Sequence, residues 1–321
     1  MPLPRRSLPL LATTFAASLA APAIAQTSRS IRFVVPWPPG GLNDLIARAF
    51  NDRVSRLMGV TIVNDFKAGA GGRIGVAEVA RAAPDGLTIG MGNLGPLTIF
   101  PNLYRDMPFD VARDLAPITM FAASPLALVV NNDLPVRSVA ELIALSHARL
   151  GRLNYGSIGV GTAQHLIFEM FRARDGTAME HIPYRGNADS LIAIMQSDVH
   201  AMFETLPSML APIADGKVRP IAVTTPERVP SLPQVPTLKE AGLDLEVTTW
   251  YAVIAPARTP ESVLATLYAA YTEVSRTADM QRLLAEQGLI YAANTRAEFA
   301  ARIVAETARW GRIIREGGIS V

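Results

Sequence analysis

The stretch Ile31–Gly59, "IRFVVPWPPGGLNDLIARAFNDRVSRLMG", passes from a β-branched run through a proline- and glycine-rich turn into a helical pattern. "IRFVVPW" reads as a strand, because β-branched and aromatic side chains suit a pleated surface. From Asn43 onward, Leu45, Ile46, Ala49, Phe50, Val54 and Leu57 recur on one helical face, and Gly59 is a natural C-cap. Between strand and helix, Pro36, Pro38 and Pro39 hold the exit rigid, while Gly40 and Gly41 leave backbone N–H groups open to approach.

The unit repeats. "VTIVNDF", "GGRIGVAEVARAAPDG" and "LTIGMGN" continue as strand, helix, strand, and a second βα series begins past "LAPITMFAASPLALVVNN" (Leu115–Asn132), which Pro117 and Pro125 interrupt. Strands alternating with helices predict a parallel α/β fold. After the proline-rich connection Thr224–Gly242, "VTTWYAVIAPA" reads as a strand, followed by two long helical patterns, Glu261–Gly288 and Arg296–Gly318. The expected architecture is α/β with two lobes, residues 29–124 plus 251–321 and residues 125–250, joined by two crossing segments. A cleft between them is the default ligand site.

Half of the 321 residues are apolar, which suits a globular fold. Met1–Ala25 has the form of a secretory signal: Arg5 and Arg6, an apolar run broken by Pro9 and Pro22, then "AIA" before Gln26. Export is therefore expected, by a Sec or a twin-arginine route. Removing that segment takes two arginines and no acid from a formal charge of +2. The mature chain is then neutral, and no basic excess argues for nucleic acid. With no cysteine, thiol nucleophiles, disulfides and thiolate metal sites are excluded.

The chemistry-bearing motifs are few. "GMGNLG" (Gly90–Gly95) fits G-x-G-x-x-G, but the "PLTIFPNLY" behind it has two prolines and no helical period, so a loop shaped for backbone approach, including Asn93, is the better reading. "YGSIGVGTAQH" (Tyr155–His165) puts Ser157 at a strand-to-helix turn without the first glycine of a nucleophile elbow. Its small residues, among them Gly159, Gly161 and Thr162, predict free N–H groups for an anion. His147, His165, His181 and His200 have no ligand spacing, so no metal or other cofactor is expected. Asp44, Glu169 and Glu204 could serve as acid or base, though Asp44 is equally a helix-capping group. Two such turns, "PPGGLND" and "GSIGVGT", one per lobe, suit a small dicarboxylate or amino acid clamped end to end, with Trp37, Phe100 or Tyr184 as a hydrophobic wall.

The motifs "VPWPPGGLND", "AGAGGRIGVAEVARAAPDGLTIGMG", "PNLY", "DLAPIT", "LNYGSIGVGTAQHL", "HIPYRG", "LPSML", "GKVRPIAVTT", "LPQVPTLKEAGL", "TTWYAVIAPARTP" and "EFAARIVAETARWGRIIREGGI" follow one another in order. Together they resemble the Bug family, the periplasmic substrate-binding receptors of tripartite tricarboxylate transporters. The resemblance implies a Venus flytrap receptor, expected to act as a monomer and not as an enzyme. Such a receptor binds an organic acid and delivers it to a small and a large membrane subunit. It also implies that main-chain amides of two loops hold one carboxylate, here Pro38–Asp44 (with Pro39, Gly40 and Gly41) and Ser157–His165. Arg185 stands where lysine is common, and its fork could pair with a distal carboxylate. Glu204 replaces a frequent aspartate. Tricarboxylates, dicarboxylates, acidic amino acids, aromatic acids and nicotinate-like compounds all suit such receptors. A sensor of the same ligands and, further off, a hydrolase or lyase on this scaffold are the competing readings.

Overall fold

β-branched Ile31, Val34 and Val35, with Phe33, build the first strand and alternate between two cores. Ile31, Phe33 and Val35 join one hydrophobic cluster and Val34 another. That is what a strand covered by helices on both faces requires. The computed structural model describes residues 30–148, 153–175 and 177–320. The expected signal segment, Met1–Ala25, lies outside them.

In chain order the first series runs β1 (Ser30–Val35), α1 (Leu42–Met58), β2 (Thr61–Phe66), α2 (Arg73–Arg81), β3 (Thr88–Asn93), α3 (Phe100–Leu103) and α4 (Val111–Asp114). β4 (Leu115–Asn131) then leads into the second: α5 (Val139–Ala148), β5 (Asn154–Ser157), α6 (Ala163–Asp175), β6 (Glu180–Pro183), α7 (Asn187–Met195), β7 (Ala201–Thr205), α8 (Leu206–Ala214) and β8 (Val218–Val223). The chain returns through β9 (Thr248–Pro256), α9 (Glu261–Arg276), α10 (Ala278–Glu286), β10 (Ile290–Tyr291) and α11 (Arg296–Glu316).

The strand order is β2-β1-β3-β9-β4-β7-β5-β6, with β8 and β10 also paired to β4. Pairing is parallel within each series, β2-β1-β3 and β7-β5-β6, as expected. It is antiparallel wherever β4 or β9 takes part, so the sheet is mixed. Residues 115–125 of β4 pair with β9, and residues from Leu126 onward pair with β7 and β8. One strand therefore runs through both halves of a two-lobed α/β fold. Its prolines are accommodated at irregular points, a register shift beside Pro117 and the change of partners at Pro125, where a missing N–H breaks no ladder bond.

Two local expectations are corrected. On α1 the buried stripe is Asp44, Ile46, Ala47, Phe50, Asn51 and Val54, while Leu45 and Leu57 are exposed. Asn51 earns its buried place through bonds on two sides, Nδ2 to Asn64 Oδ1 at 2.6 Å and Oδ1 from the Tyr271 hydroxyl at 2.5 Å. The long helical pattern after Glu261 is broken at Thr277, which is extended (ψ 139°) and caps α10 by accepting the Met280 N–H.

Candidate ligand-binding cleft

The C-terminal ends of β1, β3, β5 and β7 converge on a cavity of about 440 Å³, lined from both series and from β9. Such strand ends are where open α/β sheets present helix N-termini to ligands. α1 begins at Gly41–Asn43 and α6 at Thr162–Gln164, and all six residues line the cavity. No side chain caps α1. The first-turn N–H groups of Leu42 and Asn43, and of Ala163 and Gln164, make no bond among the described residues. Two positive helix ends thus face one space, which favours an anion.

The loops behind these ends are braced internally. Gly40, at φ +87°, donates its N–H to Asp44 Oδ2 at 2.8 Å, and Asp44 Oδ1 accepts from Arg48 Nε at 2.5 Å. In the second loop, Gly161 N–H donates to His165 Nδ1 at 3.0 Å, and Gly159 N–H to Ser157 Oγ at 3.2 Å. The Thr162 hydroxyl donates to Gly159 O at 2.7 Å. The free donors therefore sit one step into each helix, past the glycines that shape the turn.

Of the residues singled out from sequence, Trp37, Gly41, Asn93, Thr162 and Glu204 line the cavity, with Phe100 as an apolar wall. Pro39, Gly40, Asp44, Ser157, Gly159, Gly161, His165, Tyr184 and Arg185 lie outside its lining. Arg185 is exposed, and no lysine or arginine is among the lining residues. Asn43, Gly71, Gln164, Asn187, Ser208, Thr249 and Tyr251 also line it, and sequence reading passed over them as site residues. Asn43 and Gln164 lay inside the two turns already singled out, and Gly71 lay in the run "AGAGG", whose backbone turns at positive φ from Gly69 to Gly72.

Buried polar atoms without partners concentrate here. Asn43 Oδ1, Asn93 Oδ1 and Glu204 Oε2 are all in this state, and all three residues line the cavity. Leaving such a group unpaired costs about 1–3 kcal/mol, so these three side chains are open to a partner within the cavity.

Residues 46–319 match the family described as the tripartite tricarboxylate transporter family receptor. The chain belongs to this family. It is 33% identical to Protein BugT of Bordetella pertussis over 306 residues, 94% of each chain. Among solved structures, R. palustris Rpa4515 with adipate superimposes with a TM-score of 0.83 at 32% identity, covering 92% of this chain and 99% of that one. MatC from Rhodopseudomonas palustris with bound malate gives 0.77 at 26% identity, covering 89% and 98%.

In this receptor the acids divide by role. Asp44 holds the first loop. Glu169 accepts from the Tyr155 hydroxyl and from Arg172 Nη1, the latter at 2.7 Å, and so ties α6 to β5. Glu204 alone reaches the cavity. Ser157 Oγ and His181 Nε2 are 2.7 Å apart, but Ser157 is fully buried and outside the lining. The contact therefore braces the second loop, together with the stack Phe168–Tyr155–His181–His165. The motif Gly90–Gly95 is explained by packing. A Cβ on Gly90 would meet Val34 O at 2.9 Å, and one on Gly92 would meet Leu97 Cδ1 at 2.6 Å. Behind it stands a buried π-helical turn, Gly95–Ile99, and the four-residue α3, where the sequence predicted no helical period.

Proposed function

We propose that this family receptor is exported to the periplasm and binds a small organic acid. One carboxylate lies between the first turns of α1 and α6, and the receptor delivers the acid to the membrane subunits of a tripartite transporter. The observation that carries the reading is the pair of helix N-termini at one cavity, with four unspent N–H groups supplied by Leu42, Asn43, Ala163 and Gln164, while Thr162 Oγ1 accepts the next N–H of α6, from His165. Main-chain donors and helix ends hold a carboxylate without a cation, which fits a lining that, among the described residues, lacks lysine and arginine. Adipate and malate bound to the two R. palustris relatives support the ligand class.

The lobes on this reading are residues 29–124 plus 251–321 and residues 125–250, acting as a monomer and without nucleic acid. Ligand contacts to both favour the closed form. No helix among the described residues is long and apolar enough to cross a membrane. The deciding experiment is mass spectrometry of small molecules released from purified protein, followed by calorimetry of refolded ligand-free protein with a carboxylate panel. A released or titrated organic acid is expected, and a receptor that binds no acid overturns the reading.

A further inference from the structure

Glu204 is fully buried at the end of β7, and among the described residues it is the one acid lining a cavity that has no lysine or arginine. Its hydrogen bonds are one-sided. Oε1 accepts from Gln164 Nε2 at 3.1 Å, from the Thr205 N–H at 2.7 Å and from the Thr205 hydroxyl at 2.9 Å. Oε2 has no partner. An ionised carboxylate offers two equivalent accepting oxygens, whereas a carboxylic acid has one that accepts and one that carries a proton to donate. Three donors on one oxygen and none on the other fits the acid, with Oε1 accepting and Oε2 left to carry the proton. An ionised Glu204 would also repel the anion that the two helix ends attract, with nothing in the lining to offset it.

We propose that Glu204 meets the ligand as a neutral carboxylic acid whose Oε2–H donates to a second oxygen-bearing group, so that the receptor selects diacids over acids carrying a terminal ammonium. This rests on the receptor reading above and names its ligand class more narrowly. The cavity then presents donors throughout: the helix-end N–H groups, the Glu204 proton, and the amides of Asn43 and Asn93 turned NH2 inward, since either amide orientation fits the same shape. The direction of the Glu204 titration agrees. Burial raises its carboxyl above the ordinary carboxylate range and outweighs the bonds from Thr205 and Gln164. The groups facing it are Gln164 of α6, Asn187 of α7, Thr205 beside it at the end of β7 and Tyr251 of β9. Tyr251 alone of these titrates, and burial pushes its hydroxyl up, so it adds a donor and no charge.

The test uses the whole refolded, ligand-free protein with unbranched diacids of four to six carbons and the terminal-amino acids of equal length. Glu204→Gln keeps the accepting Oε1 and replaces the O–H by an N–H donor, so diacid affinity is expected within about threefold of wild type. Glu204→Leu removes the donor and is expected to weaken diacid binding about tenfold. Infrared difference spectra of the diacid complex, wild type minus Glu204→Gln, are expected to show a protonated-carboxyl C=O band at neutral pH. That measurement decides even if the leucine variant fails to fold. A carboxylate band in its place, a loss of tenfold or more in Glu204→Gln, unchanged diacid affinity in Glu204→Leu, or preference for terminal-amino acids or monoacids overturns the neutral acid and leaves the receptor standing. Failure of every acid to bind removes both.

Discussion

Gly41 has φ −94°, and a Cβ added there meets nothing within 4 Å. A valine fits the backbone and projects into open space beside the cavity it lines. Gly41→Val is therefore expected to lower the melting temperature only slightly, valine being a poorer N-cap than glycine, and to weaken carboxylate binding at least about tenfold, by blocking charge-assisted bonds to the α1 terminus. Calorimetry beside a thermal melt checks both halves. The histidine stack gives a pH dependence. Burial pushes His165 and His181 down, and His181, with its neighbour adding to the effect, falls to about 4 from an ordinary 6.5. Between those values the unfolded chain binds more protons than the folded one. The contribution is thus fully present above about pH 6.5 and is lost as pH falls toward about 4. Denaturant titrations across that window should show the wild type losing more stability than His181→Phe, which keeps a ring in the stack without a proton to gain. A parallel loss in both would refute the assignment. At this scale the sequence was half legible. Glycine clusters marked both turns, but which N–H groups were spent inside them depended on Asp44, Ser157 and His165 bonding back to their own loops. Asn187 and Ser208, on later helices, had no pattern that could announce them.

Among the elements, most strands and helices follow from hydrophobic period and turn chemistry, because each must bury one or two faces against its neighbours. The failures have local causes. The break at Thr277 hides inside a sequence of uniform helical character and depends on one hydroxyl capping the next segment. Thr277→Ala is expected to lower unfolding free energy by about 1 kcal/mol, the usual worth of such a cap. Chemical denaturation measures it, and no change would mean that packing alone sets the break. On α1, periodicity misplaced Leu45 and Leu57 because it counts apolar residues, and the buried stripe is completed by Asp44 and Asn51, whose partners lie elsewhere. Pro117 and Pro125 looked like interruptions of β4 and proved to be compatible with 17 residues of strand, since each stands where the ladder is already irregular.

At the scale of the whole molecule, ligand groups reached from α1 on one side and from α6 and β7 on the other should draw the two halves together. Small-angle scattering is expected to give a smaller radius of gyration with a bound acid than without, and identical curves would argue against closure. The two-lobed α/β plan was legible from the alternation of strands and helices, whereas the antiparallel join was not, because nothing in the sequence of β4 or β9 states which neighbour it takes. That join also bears on how the protein denatures. β4 feeds both halves, and one hydrophobic cluster extends from Val34 and Val76 through Leu128 and Phe168 to Trp310. Each half also has a cluster of its own, but loosening either half strips apolar cover from this shared one. Tryptophan fluorescence and far-ultraviolet circular dichroism should therefore trace superimposable melting curves, and the receptor should lose its structure as a single cooperative unit despite its two-part outline.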